Sequence, residues 1–193
     1  SRTMAVVPKR GFAATEKQIK QRMKSVTSIA KITKDMKMVA ASKMRGELVR
    51  LLAGKEFGYN SVDMIFKSDM YLQRKAPTED IHDASEFIVP LSSDRGLCGG
   101  INSGIVREIK GYLKNKNRSK FRLLPIGEKA SMALARPFPD IMKSSISDTG
   151  TPSNYPTVMG ISEQIQRQAD GFDKIVVYYN EFKSAISYVV RRM

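Results

Sequence analysis

The chain has one cysteine, one histidine and no tryptophan among its 193 residues, and each scarcity closes off a chemistry. A lone Cys98 rules out an internal disulfide, a CxxC redox pair and a cysteine-rich zinc site. His82 lies in the polar stretch 75–85 between Asp80 and Asp83, with no nucleophile nearby. It reads as a solvated loop histidine rather than part of a catalytic or metal cluster. No apolar run approaches the roughly 20 residues that a bilayer-spanning helix needs. Acids are also short: 19 Asp plus Glu against 33 Lys plus Arg leave a net charge of +14. Such an excess implies an acidic partner, whether nucleic acid, a membrane surface or an acidic protein surface, and composition does not choose among them. The length suffices for one ordinary core, with residues left over for an extended element.

Acid is missing altogether from the first thirteen residues, which carry Arg2, Lys9 and Arg10 among small and apolar neighbours. Residues 1–14 are therefore expected to be a mitochondrial presequence. Its end would lie near Arg10-Gly11-Phe12, and the mature chain would start at 13–15.

Proline is absent from residues 15–57, and Lys, Gln, Met, Ala and Glu dominate, with Gly46 and Gly54 as the weak points. This predicts one helix capped by Thr15 and on the order of 65 Å long, too long merely to pack on a small domain. Ile19, Met23, Val26, Ile29, Ile32, Met36 and Val39 recur in steps of three and four, a seam for a partner helix. The remaining surface is cationic, with Lys17, Lys20, Arg22, Lys24, Lys31, Lys34, Lys37, Lys43, Arg45, Arg50 and Lys55 against Glu16, Asp35, Glu47 and Glu56. A charged helix face is most often just solvated, but a helix longer than its own domain needs a surrounding surface as well. Met38 and Met44 read equally as an adaptable binding surface or as ordinary packing.

Residues 58–86 read as a helical extension followed by a surface loop, and 87–193 as an α/β domain. Strands are expected at 87–91, 121–126, 141–146 (weak) and 173–179. The segment 184–190 is either a further strand or the end of one long strand bent near Asn180. Helices are expected at 101–113, 128–135 and 157–169, and 114–120 reads as a basic loop. Alternating strands and helices predict a Rossmann-like, mostly parallel sheet with an antiparallel edge. The fold class is then α/β with a long N-terminal coiled-coil helix.

Between the first strand and its helix, Asp94, Arg95, Gly96, Gly99 and Gly100 form a tight structural turn. It lacks the G-x-G-x-x-G and P-loop spacings, and Asp94 would repel a phosphate. Gly99 and Gly100 are expected to allow close approach, Asn102 or Ser103 to cap the helix, and Cys98 to be a small buried hydrophobe. No paired carboxylates stand at catalytic spacing, so no catalytic, cofactor-binding or metal residue is expected.

Three segments together carry a family resemblance. Ile19-Lys-Gln-Arg-Met-Lys-Ser-Val26 with Ile29-Ala-Lys-Ile-Thr-Lys-Asp-Met-Lys-Met-Val-Ala-Ala-Ser-Lys-Met44 resembles the N-terminal shaft helix of the γ subunit of F-type ATP synthases. Ser92-Ser-Asp-Arg-Gly-Leu-Cys-Gly-Gly-Ile-Asn-Ser103 resembles the central motif of that family's α/β domain, and Tyr179-Asn-Glu-Phe-Lys-Ser-Ala-Ile-Ser187 its late strand. The resemblance implies a non-catalytic rotor-stalk subunit without a cofactor, peripheral to the matrix side of the mitochondrial inner membrane. Proton-driven rotation of the shaft inside a ring of α and β subunits would force the nucleotide sites through successive conformations. The α/β domain would join the shaft to a c-ring and to small central-stalk subunits.

By position, Lys31, Lys34, Met36 and Lys37 would meet the ring, the cations facing acidic residues of the β subunits. Asp35 stands where the family often has a small residue. The family also continues to a long C-terminal helix, whereas this sequence stops at Met193. Either the sequence is part of a longer chain, or a separate polypeptide supplies the partner helix for the seam.

Two rivals remain. A basic mitochondrial nucleic-acid-binding protein fits the charge, but its cations would gather on one groove-facing side and aromatics would accompany them. A nucleotide-binding enzyme would use the 96–100 turn and bind ATP or a dinucleotide on its own.

Overall fold

The computed structural model describes residues 15–68, 84–150 and 154–193. The presequence expected over 1–14, His82 and most of the loop expected over 73–85 lie outside these residues. The chain divides into two compact units, residues 1–78 and 79–193.

Among the described residues the first unit is a single helix, α1 (Glu16–Phe66, 51 residues), about 75 Å long at the ordinary helical rise. Its start is fixed by a reciprocal cap: the Gln18 backbone N–H donates to Thr15 Oγ1, and the Thr15 N–H donates to Gln18 Oε1. The helix runs nine residues past Phe57, straight through Gly58. One exposed glycine costs about 1 kcal/mol relative to alanine, and no proline enforces a break there. The Lys67 backbone N–H closes the last turn on the Asp63 carbonyl at 2.9 Å, and its side chain pairs with the Asp63 carboxylate at 2.6 Å.

The second unit is a four-stranded sheet in the order β2-β1-β3-β4, from β1 (Glu86–Pro90), β2 (Phe121–Leu123), β3 (Lys174–Ser184) and β4 (Ser187–Arg192). β1 pairs in parallel with β2 and β3, and β4 closes the edge antiparallel to β3. This is the Rossmann-like sheet with an antiparallel edge that the strand–helix alternation predicts. Three helices complete it: α2 (Ile101–Leu113), α3 (Glu128–Ala135) and α4 (Tyr155–Ala169).

All five residues of β1 are buried, because apolar side chains cover it on both faces. On one face Ile88 and Val176 pack with Ile105, Ile109 and Leu113 of α2 and with Leu134 of α3. On the other, Phe87, Val89, Leu124 and Ile126 pack with Ile161, Ile165 and Ala169 of α4 and with Phe172.

One expectation is corrected. Residues 141–146 form no strand, only single parallel bridges at Met142 and Ile146. Their neighbour Pro125 has no N–H to continue a ladder, and Lys143, Ser144 and Ser145 between the bridges are exposed. Of the two readings of 184–190, the further strand is the one observed: β3 and β4 form a hairpin turning at residues 185–186. Asn180 lies inside β3, opposite Val190.

Candidate functional site

The surface of α1 is the largest unexplained feature. Ile19, Met23, Val26, Ile29, Ile32, Met36 and Val39 are all 49–64 % exposed. Covering such side chains is worth on the order of 1.5–3 kcal/mol each, so this stripe is a strong surface without an occupant in this structure. The hydroxyls of Ser25, Thr27 and Thr33 donate to the carbonyls of Gln21, Met23 and Ile29, which hides polar groups that would interrupt it.

Lys31, Lys34 and Lys37 step along a second strip in threes, whereas Met36 belongs with the apolar stripe. The helix therefore does not bring these four onto one face. Among the described residues no ion pair neutralises the three lysines. Nearer the ends, Lys20 pairs with Glu16 and Arg50 with Glu47, each at 2.6 Å.

In the α/β unit the turn after β1 is held by its own side chains. Asn102 Oδ1 accepts from the Ser93 N–H at 3.1 Å, and Asn102 Nδ2 donates to Ser93 Oγ at 2.8 Å and to Cys98 Sγ at 3.0 Å. Arg95 contributes its carbonyl, which accepts from Ser93 Oγ at 2.7 Å. Asp94 Oδ1 accepts the Glu128 N–H at 2.9 Å and so caps α3 across the turn. Gly99 sits at φ +63°, and a Cβ on Gly100 would stand 2.8 Å from the Tyr188 hydroxyl. Gly96 lies beside the Lys129 side chain.

Sequence reasoning misassigned the cap and the cysteine here. Asn102 braces the turn and Ser103 donates its hydroxyl to the Gly100 carbonyl, so neither caps α2, whose N-cap position is Gly100 with no side-chain bond. Cys98 is half-exposed and takes polar partners, not a buried hydrophobe's surroundings.

Two features had no sequence signal at all. Leu97 adopts a left-handed φ of 59° and is 97 % exposed, a conformation no composition rule anticipates for leucine. Glu86 is a buried carboxylate joining three elements: Tyr112 donates its hydroxyl at 2.7 Å, and Lys174 and Arg192 pair with it at 3.1 Å. The Arg192 guanidinium also lies 4.4 Å from the Tyr112 ring centre.

Beside this cluster burial raises the Tyr178 hydroxyl to about 12. At the hairpin, hydrogen bonds from Lys183 and Arg191 hold Glu181 down at about 2. Asp173 is lowered chiefly by bonds from the Ser85 backbone and side chain. Tyr178 also lines an open groove of about 470 Å³ with Tyr112, Arg191 and Arg192. An open groove of about 590 Å³ beside the turn is lined by Leu97, Arg107, Lys110 and Lys129, among others. Among the described residues no cluster of His, Cys, Asp and Glu has the makings of a metal site.

A long helix with its apolar residues outside, on one chain with a small Rossmann-like unit, defines a helical shaft protein. The family model for ATP synthase matches residues 15–193, and the chain belongs to this family, among its γ, central-stalk members. It is 33 % identical over 178 residues to the mitochondrial ATP synthase F(1) complex subunit gamma of Rattus norvegicus, covering 91 % of this chain and 63 % of that protein. A chain in the cryo-EM structure of the Tetrahymena thermophila mitochondrial ATP synthase central stalk/c-ring superposes with a TM-score of 0.73 at 48 % identity. That match covers 84 % of this chain and 70 % of the other. A chain of the Euglena gracilis mitochondrial ATP synthase shares the fold at 21 % identity, with a TM-score of 0.63 over 90 % of this chain and 55 % of the other. The chain thus spans less than two thirds of the rat protein.

Proposed function

We propose that this chain is a central rotor-stalk subunit of a mitochondrial ATP synthase, non-catalytic itself, at the matrix side of the inner membrane. It couples proton-driven rotation to conformational change at nucleotide sites held by a ring of α and β subunits. The observation that carries this reading is α1: 51 residues of helix with an exposed apolar stripe and uncompensated lysines, on a chain of the γ family.

The apolar seam from Ile19 to Val39 would take a second helix, from a continuation of this chain or from a separate polypeptide. Lys31, Lys34 and Lys37 would meet acidic residues of the ring, and Met36 would pack where stripe and ring converge. Asp35 would add a local repulsion whose size the ring decides. Coupling then needs no chemistry in this chain. Each orientation of an uneven shaft favours a different ring conformation, and the differential contact energy drives the change. The turn at Asp94, Arg95, Gly96, Gly99 and Gly100 would hold the α/β unit's shape, while that unit joins the c-ring and the small central-stalk subunits.

Native mass spectrometry of the gently purified, tagged chain tests this directly. A mass containing three α and three β subunits is expected, with the component masses revealing the source of the second helix. Recovery of the chain alone or with nucleic acid overturns the reading.

A further inference from the structure

The pairing of β3 with β4 dictates which backbone groups of β4 face outward. Val177 and Met193 exchange both bonds, at 2.9 and 3.0 Å, and so form a hydrogen-bonded pair. Such pairs alternate along an antiparallel ladder, and the register makes Tyr179–Arg191 and Glu181–Val189 the next two. Between them Tyr178, Asn180 and Phe182 stand opposite Arg192, Val190 and Tyr188, with the N–H and C=O of each turned away from its opposite. The Tyr178 carbonyl accordingly accepts from the Leu91 N–H at 2.8 Å, on the β1 side. The N–H and C=O of Tyr188, Val190 and Arg192 point off the other side, over the edge of the sheet. Among the described residues no backbone bond takes them.

This edge lacks the devices that usually close one. Residues 187–192 contain no proline, and the irregularity in the ladder lies outside them, between Phe182 and Ser184. Arg191 and Arg192 would guard an edge if their charges were free. Arg191 instead pairs with Glu181 at 2.6 Å, and Arg192 with Glu86 at 3.1 Å. Gly104 of α2 lies by Tyr188 and Val190, and Tyr112 by Arg192, so helix and strand run the same way side by side. Between them is the groove of about 470 Å³, walled by Arg107, Glu108, Gly111 and Tyr112 on the helix and by Val190 and Arg192 on the strand. An incoming strand bonded to the edge would lay alternate side chains into this groove.

We propose that the β4 edge takes an extended, proline-free strand of an acidic partner polypeptide, which continues the sheet within the stalk assembly. The inference rests on the rotor-stalk reading above. The occupant is a strand because another extended backbone supplies donors and acceptors at the spacing of Tyr188, Val190 and Arg192. It is not a second copy of this chain, because each copy carries a net charge of +14, and the same charge favours an acidic partner. Gly111, where an added Cβ meets nothing within 4 Å, leaves room for the partner's side chains.

Amide exchange, read residue by residue on the free chain and on the native assembly, is the test. In the free chain Tyr188, Val190 and Arg192 should exchange quickly, and Val189 and Arg191, bonded to β3, slowly. In the assembly the fast set should slow by on the order of 10-fold or more. Gly111→Phe, which fills the groove, should abolish that slowing, whereas Gly111→Ala should keep it. Protection of the fast set already in the free chain would mean that its own residues or a second copy cover the edge, and overturns the proposal. So does an assembly in which the set exchanges as fast as in the free chain, or one in which Gly111→Phe leaves it slow. Native mass spectrometry reads assembly separately. A chain that joins no ring fails the rotor-stalk reading and this inference with it, while an intact complex with an unprotected edge sinks the edge inference alone.

Discussion

Ile32 and Ile109 carry the same side chain in helices of the same chain, yet Ile32 is 57 % exposed and Ile109 fully buried. In α2 the isoleucine faces a sheet that its own chain supplies. In α1 it lies on a stripe for which the unit provides no counterpart. The hydrophobic effect acts on both, but the α/β unit has already realised it, while the stripe of α1 stays exposed, as the pairing with a second helix proposed above requires.

The sharpest way to break this comparison is to put charge on the stripe. Ile29→Asp/Ile32→Asp should abolish pairing with a partner helix, and unchanged assembly on native mass spectrometry would contradict the seam. Next, Ile109→Ala should destabilise the α/β unit by about 2–5 kcal/mol. Ile32→Ala should change the free chain's denaturant midpoint by no more than about 0.5 kcal/mol. Equal losses would mean α1 is already covered.

Gly127→Ala probes how tightly the α/β unit is built. Gly127 is at φ +98°, and a Cβ would stand 2.3 Å from the Ser92 carbonyl oxygen. A loss of roughly 1–3 kcal/mol is expected, against a gain of up to about 1 kcal/mol for Gly54→Ala, which lies inside α1 with nothing within 4 Å. A smaller loss, about 1 kcal/mol, is expected for Asp94→Ala, which removes the cap of α3. An unaltered melting temperature would show that the Glu128 N–H finds another acceptor.

The gentlest probe is acid. Glu181 is held at about 2, below its ordinary 4.5, so its bonds to Lys183 and Arg191 stabilise the hairpin fully above 4.5. That contribution is lost as pH falls through about 2, and Asp173 shifts in the same direction. Amide exchange across residues 187–192 should accelerate over this window. A Glu181 carboxyl titrating near 4.5 by NMR would refute the assignment.

Much of this architecture was legible because local and global signals agree. Thr15 caps where a proline-free basic run begins, and Ile101–Leu113 and Glu128–Ala135 follow strands with glycines between. Failures came where a residue's partner is remote. Glu86 gives no local sign that Lys174 and Arg192 will surround it, and Asn102 looks like a cap until Ser93 folds back onto it. The helical extension expected after Phe57 is continuous with α1, because a glycine is only a weak break. The lysines at 31, 34 and 37 were legible as cations, but a sequence does not carry the surface proposed to meet them.

The pairing of β1 also has a consequence in time. Ser85 and Asp173, bonded at the base of the central strands, are 88 positions apart, and β1 has no β3 until that far residue has been synthesised. α1 needs only neighbours within a few positions and forms on the microsecond scale as it emerges. For the whole interval in which the sheet is incomplete, a finished greasy rod waits in solution. The cations around it then repel other copies of the same charge, which keeps such an exposed stripe in solution meanwhile.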